Sequence, residues 1–312
     1  MEMLIQILLL ALGFAMLVKG ADWFVDGAAG IADKMGIPQL VIGLTIVAMG
    51  TSAPEAAVSI TAALKDNAGI TIGNVVGSNI LNILIILGIT SVIVSVAVAK
   101  STIKIEIPFM IAATLLLLAF GYTGAEISRV EGIIFWVVFI GYLAYMFVMA
   151  KKNKTEAEPE EEGKEMPLWK LIVAAIVGLV LIVWGSDVTV DAATNIAQKA
   201  GMSERFIGLT IVALGTSLPE LFTSVSAAIK GKADIAIGNI VGSNIFNILF
   251  IVGTTALITP VVFEAKFLID TIIAIAAGII LWLCVFKNRS LKRPAGIFML
   301  LCYAGYFAYL LM

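Results

Sequence analysis

IGLTIVAMGTSAPE, residues 42–55, returns as IGLTIVALGTSLPE, residues 207–220, with 12 of the 14 positions identical. Each copy runs an apolar segment into a proline and then a carboxylate. A second pair follows, IGNVVGSNILNIL at 72–84 and IGNIVGSNIFNIL at 237–249, identical at 11 of 13 positions. Apolar bias alone yields chance matches among Val, Ile and Leu, but not among Asn, Thr, Ser, Pro and Glu held in register. The halves therefore repeat each other without a gap, at an offset of 165 residues.

Composition sets the medium in which this repeat folds. Of 312 residues, 61% are hydrophobic and 13% charged, and the mean hydropathy is +1.06; a soluble domain carries about 25% charge. An all-α integral membrane protein is expected. Apolar stretches at 3–32, 38–63, 70–98, 103–122, 128–149, 168–197, 203–228, 235–260, 266–286 and 294–312 each approach or exceed the ~20 residues that cross a bilayer as a helix. They predict ten transmembrane helices arranged as two five-helix repeats, 1–150 and 168–312. Between them KKNKTEAEPEEEGKEMP, residues 151–167, reads as a solvated acidic linker. Residues 3–18 look like the core of a leader peptide, but they continue into GADWFVDGA (20–28), the counterpart of GSDVTVDAA (185–193), so a structural helix is expected.

Five helices is an odd number, so the second repeat enters the membrane from the opposite side and the repeats are inverted. With the N-terminus outside, 14 Lys and Arg fall in cytoplasmic loops against five in outer loops. Positive charge collects on the cytoplasmic side, which predicts a plasma-membrane protein with both termini extracellular and the linker in the cytoplasm. Scattered Lys and Arg and a net charge of −2 leave no basic stripe for nucleic acid. Cys284 and Cys302 read as small buried hydrophobes, and the chain has no histidine. No enzymatic activity, no cofactor and no obligate protein partner are expected; the lipid bilayer is the surroundings and the chain is predicted to be monomeric.

Pro54 lacks an N–H and its ring presses on the carbonyl of Gly50, so the helix is expected to kink and to free carbonyls there. Such breaks persist at membrane depth where protein or a water-filled cavity satisfies them. Ala48, Thr51, Ser52, Glu55 and Ser59 share one helical face, and Asn74, Ser78 and Asn82 form a second stripe. The other repeat copies both sets as Ala213, Thr216, Ser217, Glu220 and Ser224, with Asn239, Ser243 and Asn247. Gly73/Gly77 and Gly238/Gly242, with Asn79 and Asn244, read instead as close-packing positions. Asp22, Asp26, Asp187 and Asp191 are expected to reach an interface. The glutamates differ, because a carboxylate at the bilayer centre costs about 2.5–3.5 kcal/mol even on the lenient scale. Hard oxygen donors suit Ca²⁺ or Na⁺. Two close carboxylates need cations totalling about +2, met by one Ca²⁺ or at least two Na⁺, and mutual exclusion of those loads is the basis of exchange.

The paired GTSAPE…GNVVGSNILN and GTSLPE…GNIVGSNIFN segments closely resemble the two repeats of the sodium/calcium exchanger family, within the calcium/cation antiporter superfamily, in a minimal prokaryotic form. The resemblance implies Glu55 and Glu220 as shared Ca²⁺/Na⁺ ligands, with Thr51 and Thr216 adding oxygens to Ca²⁺. It places Ser52, Ser217, Ser78, Ser243 and the carbonyls of Ala48 and Ala213 at sodium positions, and Asn82 and Asn247 at the centre. The metal-ligating set is thus drawn from both halves, and Ca²⁺ and Na⁺ are the transported ions. Helices 1 and 6, the longest and free of internal proline, are expected to slide as a pair against helices 2, 3, 7 and 8. The alternatives are a Ca²⁺/H⁺ antiporter using the same glutamates and a cation channel. Neutral Asn82 and Asn247 predict exchange independent of potassium.

Overall fold

The computed structural model describes residues 2–65, 68–152, 166–201 and 213–311. The first half runs α1 (Glu2–Met35), α2 (Gln39–Thr51), α3 (Ala53–Leu64), α4 (Gly69–Ile93), β1 (Val96–Ala97), α5 (Thr102–Gly124), β2 (Glu126–Ile127) and α6 (Arg129–Lys152). The second runs α7 (Leu168–Lys199), α8 (Ala213–Gly215), α9 (Leu218–Ile229), α10 (Ala233–Ile258), β3 (Val261–Val262), α11 (Ala265–Phe286), β4 (Ser290–Leu291) and α12 (Arg293–Leu311). Among the described residues, seven helices are long and apolar enough to cross a membrane. The bent pair α2–α3, which turns by 49°, makes an eighth. The predicted span 203–228 falls partly, and the linker almost wholly, outside the described residues.

The helices predicted over 70–98 and 235–260 stop earlier, at Ile93 and Ile258, where the backbone turns extended at Val94 and Thr259. The reason is local: β-branched Val, Ile and Thr favour extended backbone, and a partner is at hand. Val96 and Ala97 pair antiparallel with Leu291 and Ser290, and Glu126 and Ile127 with Val262 and Val261. Each half thus clips onto the other twice. Flanking bonds match as well, Val98 N–H to the Arg289 carbonyl and Phe263 N–H to that of Ala125, both 2.9 Å. The partners of residues 98 and 263 are 164 apart. Gly132 packs against the Gly253 carbonyl and Gly296 against that of Gly88, again 164 apart for the first pair of positions and 165 for the second. The gap-free offset therefore holds through α4 and α10 and shortens by one residue before the last helix of each half.

The longest helices form one antiparallel pair. A Cβ at Gly13 would meet Thr189 and Gly185, one at Gly20 would lie 2.8 Å from the Gly178 carbonyl, and one at Gly27 2.6 Å from the Leu171 carbonyl. Rising numbers on α1 meet falling numbers on α7. The missing side chains let two backbones touch along their length, a packing mode that suits lipid, where apolar area gives helices no drive to associate. At the other extreme, α10 is enclosed on nearly every side. A Cβ at Gly238 would lie 3.0 Å from Leu44 N and one at Gly242 2.6 Å from the Leu44 carbonyl. Those two glycines are the close-packing positions that the sequence suggested; the residue matching Leu44 in the other half, Leu209, lies outside the described residues.

Gly178→Ala should therefore destabilise the protein, because the new methyl would meet backbone atoms of Gly20 and Phe24, which cannot move aside; overpacking of this kind costs about 1–3 kcal/mol. Gly141→Ala, facing open space, is the control. Thermal unfolding in detergent should show a clear drop for the first and none for the second.

Candidate cation site

Both helix breaks fall on a serine. Ser52 (φ −82°, ψ 9°) ends α2 and Ser217 (φ −91°, ψ 4°) precedes α9. The next turn carries the proline, Pro54 or Pro219, where a missing N–H leaves nothing unsatisfied. One residue on come Glu55 and Glu220, which are 1% and 0% exposed. Neither faces lipid or bulk water. Although the chain bends by 49° here, the Ser52 N–H still reaches the Ala48 carbonyl at 3.0 Å, and Thr51, Ser52, Glu55 and Ser59 all stay buried. The carbonyl of Ala48, which the resemblance places at a sodium position, is not bare. Thr51 Oγ1 and Ser243 Oγ both donate to it, each at 3.3 Å.

The halves interlock at these breaks. Ser52 Oγ donates to Glu220 Oε1 at 2.8 Å, and Thr51 Oγ1 to Asn239 Oδ1 at 3.0 Å. Asn239 Nδ2 in turn donates to Ser224 Oγ (2.9 Å) and the Glu220 carbonyl (3.4 Å), while Asn74 Nδ2 holds Ser59 Oγ (2.9 Å) and the Glu55 carbonyl (3.2 Å). The hydroxyls of Thr216 and Ser78 lie beside Glu55. Among the described residues no contact places the Ala213 carbonyl in this network.

At the crossing of α4 and α10 four asparagines form a reciprocal knot. Asn79 Nδ2 donates to the Asn244 carbonyl and Asn244 Nδ2 to the Asn79 carbonyl, both at 3.2 Å. Asn82 Nδ2 donates to Asn244 Oδ1 (2.9 Å) and Asn247 Nδ2 to Asn79 Oδ1 (3.0 Å). Exchanging the halves maps this pattern onto itself. Asn82 and Asn247 each open a π-helical turn, Asn82–Leu87 and Asn247–Val252, a local widening frequent at functional sites. With their amide nitrogens engaged, their oxygens remain. Asn82 Oδ1, Asn247 Oδ1, Glu55 Oε1 and Oε2, and Glu220 Oε2 are all buried and accept no hydrogen bond. All five are acceptors, and of the predicted hydroxyls that of Ser217 is likewise buried without a partner. Buried oxygens are rarely orphaned, and a surplus of buried acceptors over donors is what a hard cation completes.

Asn79 and Asn244 read from sequence as packing positions, yet they orient the two central amides. Their signal was present in the duplicated GSN, but a helical stripe drawn from Asn74 through Ser78 to Asn82 passes them by. A third enclosed carboxylate, Glu106, was also missed; Tyr145 Oη donates to its Oε1 at 2.7 Å. At the shortened offset of 164 its match is the half-buried Asp270, to which Tyr306 Oη donates at 3.1 Å; the 165-residue register pairs it with Thr271 instead, so the duplication as read from sequence did not reveal it.

Residues 5–148 and 170–312 match the profile described as sodium/calcium exchanger protein. The chain belongs to the sodium/calcium exchanger family. Its relatives in that family include CaxA of Alkalimonas amylolytica, 40% identical with 97% of this chain and 98% of that one covered. The sodium/calcium exchanger MaX1 of Methanosarcina acetivorans is 33% identical, with 97% of each covered. The structure of the sodium-calcium exchanger NCX_Mj soaked with 10 mM Na⁺ and zero Ca²⁺ superposes with a TM-score of 0.85 at 30% identity, covering 98% of this chain and 99% of that one. A multi-pass, all-helical membrane transporter follows from family and fold together. For this exchanger, Asn79→Ala should leave the Asn247 amide buried without its acceptor, at about 1–3 kcal/mol. Calcium affinity of the purified protein, read by calorimetry, is expected to fall on the order of tenfold.

Proposed function

We propose that the chain exchanges Na⁺ for Ca²⁺ across the membrane at one shared site between Glu55 and Glu220. The observation that carries this reading is the acceptor surplus: three oxygens of two enclosed carboxylates and two amide oxygens that accept no hydrogen bond. Thr51, Thr216, Ser52, Ser217, Ser78 and Ser243 supply hydroxyls, and the carbonyls of Ala48 and Ala213 supply main-chain oxygens. The doubling of those neutral oxygens around the carboxylates favours several monovalent sites over simple protonation of the glutamates. The same reading takes the chain as ten spanning helices in two inverted repeats, monomeric, with both termini outside and the acidic linker in the cytoplasm. The interchange of contacts between halves supports the inversion, and a midplane site between inverted repeats suits alternating access.

Chemically, the residues act by charge balance. A load of one Ca²⁺ or two Na⁺ neutralises Glu55 and Glu220, and any further Na⁺ makes the loaded site positive. With more than two Na⁺ per Ca²⁺, exchange is electrogenic and responds to potential at about 2.3 kcal/mol per charge per 100 mV. Asn82 and Asn247 add oxygens but no charge, so a potassium ion carried alongside Ca²⁺ would stand uncompensated in a low-dielectric cavity.

Calcium uptake into vesicles tests this directly. Uptake should be accelerated by an opposing sodium gradient, with equal rates when potassium is replaced by choline; acceleration by a pH gradient alone would make the protein a Ca²⁺/H⁺ antiporter, and an absolute potassium requirement would contradict the role given to the amides. Glu55→Gln and Glu220→Gln each remove half the site's charge, and unpairing a buried cluster costs about 3–5 kcal/mol. Both variants should lose calcium uptake while still reaching the membrane.

A further inference from the structure

The two ends of the site are built from matched residues but are arranged differently. At one end Lys230, just past α9, reaches onto α1. Its Nζ lies 3.3 Å from Asp22 Oδ1 and 2.8 Å from Asp26 Oδ1, and donates to the Asp22 carbonyl at 3.0 Å. Ser226 Oγ on α9 also donates to Asp22 Oδ1, at 2.9 Å. This corner is closed. Adding or subtracting 165 gives Lys65 just past α3, and Asp187 and Asp191 on α7. Among the described residues no ion pair joins these three. A cleft of about 410 Å³ stands between α3 and α7 instead, lined by Pro54, Ala57, Val58, Asp187, Asp191 and Thr216. Thr216 lies beside Glu55, so the cleft leads from surface carboxylates to the site. Lys65 is exposed on an adjoining depression that shares Ala57 and Val58 as walls.

We propose that Lys230 and Lys65 are gating residues that close alternately, Lys230 onto Asp22 and Asp26 in the state described, and Lys65 onto Asp187 and Asp191 in the opposite state. This rests on the exchanger reading above. Packing makes the two closures exclusive. Because α1 and α7 touch backbone to backbone, they move as one body, and a shift that brings α7 onto α3 draws α1 away from α9. Electrostatics gives each state its use. The closed corner neutralises its aspartates and withdraws them from the path, whereas the open corner presents two carboxylates to incoming cations. The ion pairs are also only partly enclosed, with side-chain exposures of 26% for Lys230, 36% for Asp22 and 54% for Asp26. Pairs this wet are weak, as a latch that breaks in every cycle must be.

The test reads which end is open. In a background with Cys284 and Cys302 replaced by serine, single Ala57→Cys and Phe222→Cys reporters occupy matching positions at the two ends. A membrane-impermeant maleimide applied to sealed vesicles of each orientation should label the Ala57→Cys reporter quickly and the Phe222→Cys reporter slowly. Adding Lys230→Met should raise the rate at Phe222→Cys about fivefold, the scale of two exposed ion pairs, and lower that at Ala57→Cys; Lys230→Arg should restore the parent rates. Adding Lys65→Met should slow the Phe222→Cys reporter further. Unchanged labelling in Lys230→Met, or faster Phe222→Cys labelling in Lys65→Met, would overturn the latch. If Lys230→Met does not accumulate, Asp26→Asn replaces it and should move both rates in the same direction by a smaller factor, no movement again overturning the proposal. Sodium-driven calcium uptake by the parent is measured separately, so loss of the exchanger reading is distinguishable from loss of the latch.

Discussion

Two carboxylates enclosed within a few residues of two helix breaks set the terms for everything else in this protein. Neither an isolated carboxylate nor a pair survives in an apolar interior without compensation, and among the described residues no lysine or arginine pairs with Glu55 or Glu220. The protein compensates them weakly. Ser52 donates one bond to Glu220, and three of the four carboxylate oxygens accept none. The nearby amide donors are engaged elsewhere: the amide nitrogens of Asn82 and Asn247 on Asn244 and Asn79, and those of Asn74 and Asn239 on the chain around each glutamate. A fully satisfied polar core would have been stiffer and inert. Leaving an acceptor surplus makes the interior depend on a mobile cation.

In the proposed exchange that surplus is reached from both sides, and the packing suggests which parts would move. Enclosed α10 and its partner α4, knotted by four asparagines, form a fixed centre, while α1 and α7 lie outside it in mutual contact through glycines. The latter pair buries little of itself in the remainder of the protein. A tight pair loosely held is a natural moving part, in keeping with the sliding motion expected from helix length and the absence of proline.

Much of this was legible in the sequence because duplication doubles every signal. A single Pro-Glu in an apolar run is a curiosity; the same pair 165 residues on, with its hydroxyls and asparagines in register, points to a site assembled from both copies. Seven long spanning helices and the bent pair α2–α3 lie where run length placed apolar segments. Where the reading fell short, the cause was physical in each case. Val94–Val98 and Thr259–Phe263 are as apolar as a helix but pair as strands across the halves, and hydropathy cannot see a partner. The one-residue shortening, already in place within α5 and α11, falls outside the duplicated motifs, so their register does not show it. Asn79 and Asn244 lie off the stripe because they bond across the crossing of α4 and α10 instead of along it. Glu106 matches Asp270 only once the offset has shortened to 164, and a fixed offset of 165 sets it against Thr271.

The central claim is that Na⁺ and Ca²⁺ occupy one charge-limited site in turn. The most direct measurement is equilibrium calcium binding to the purified protein, titrated with sodium at constant ionic strength. Sodium should displace calcium completely, with a Hill coefficient above one, since more than one Na⁺ must enter to replace a divalent ion between Glu55 and Glu220. Calcium that stays bound at saturating sodium, or displacement with a Hill coefficient of one, would contradict the account.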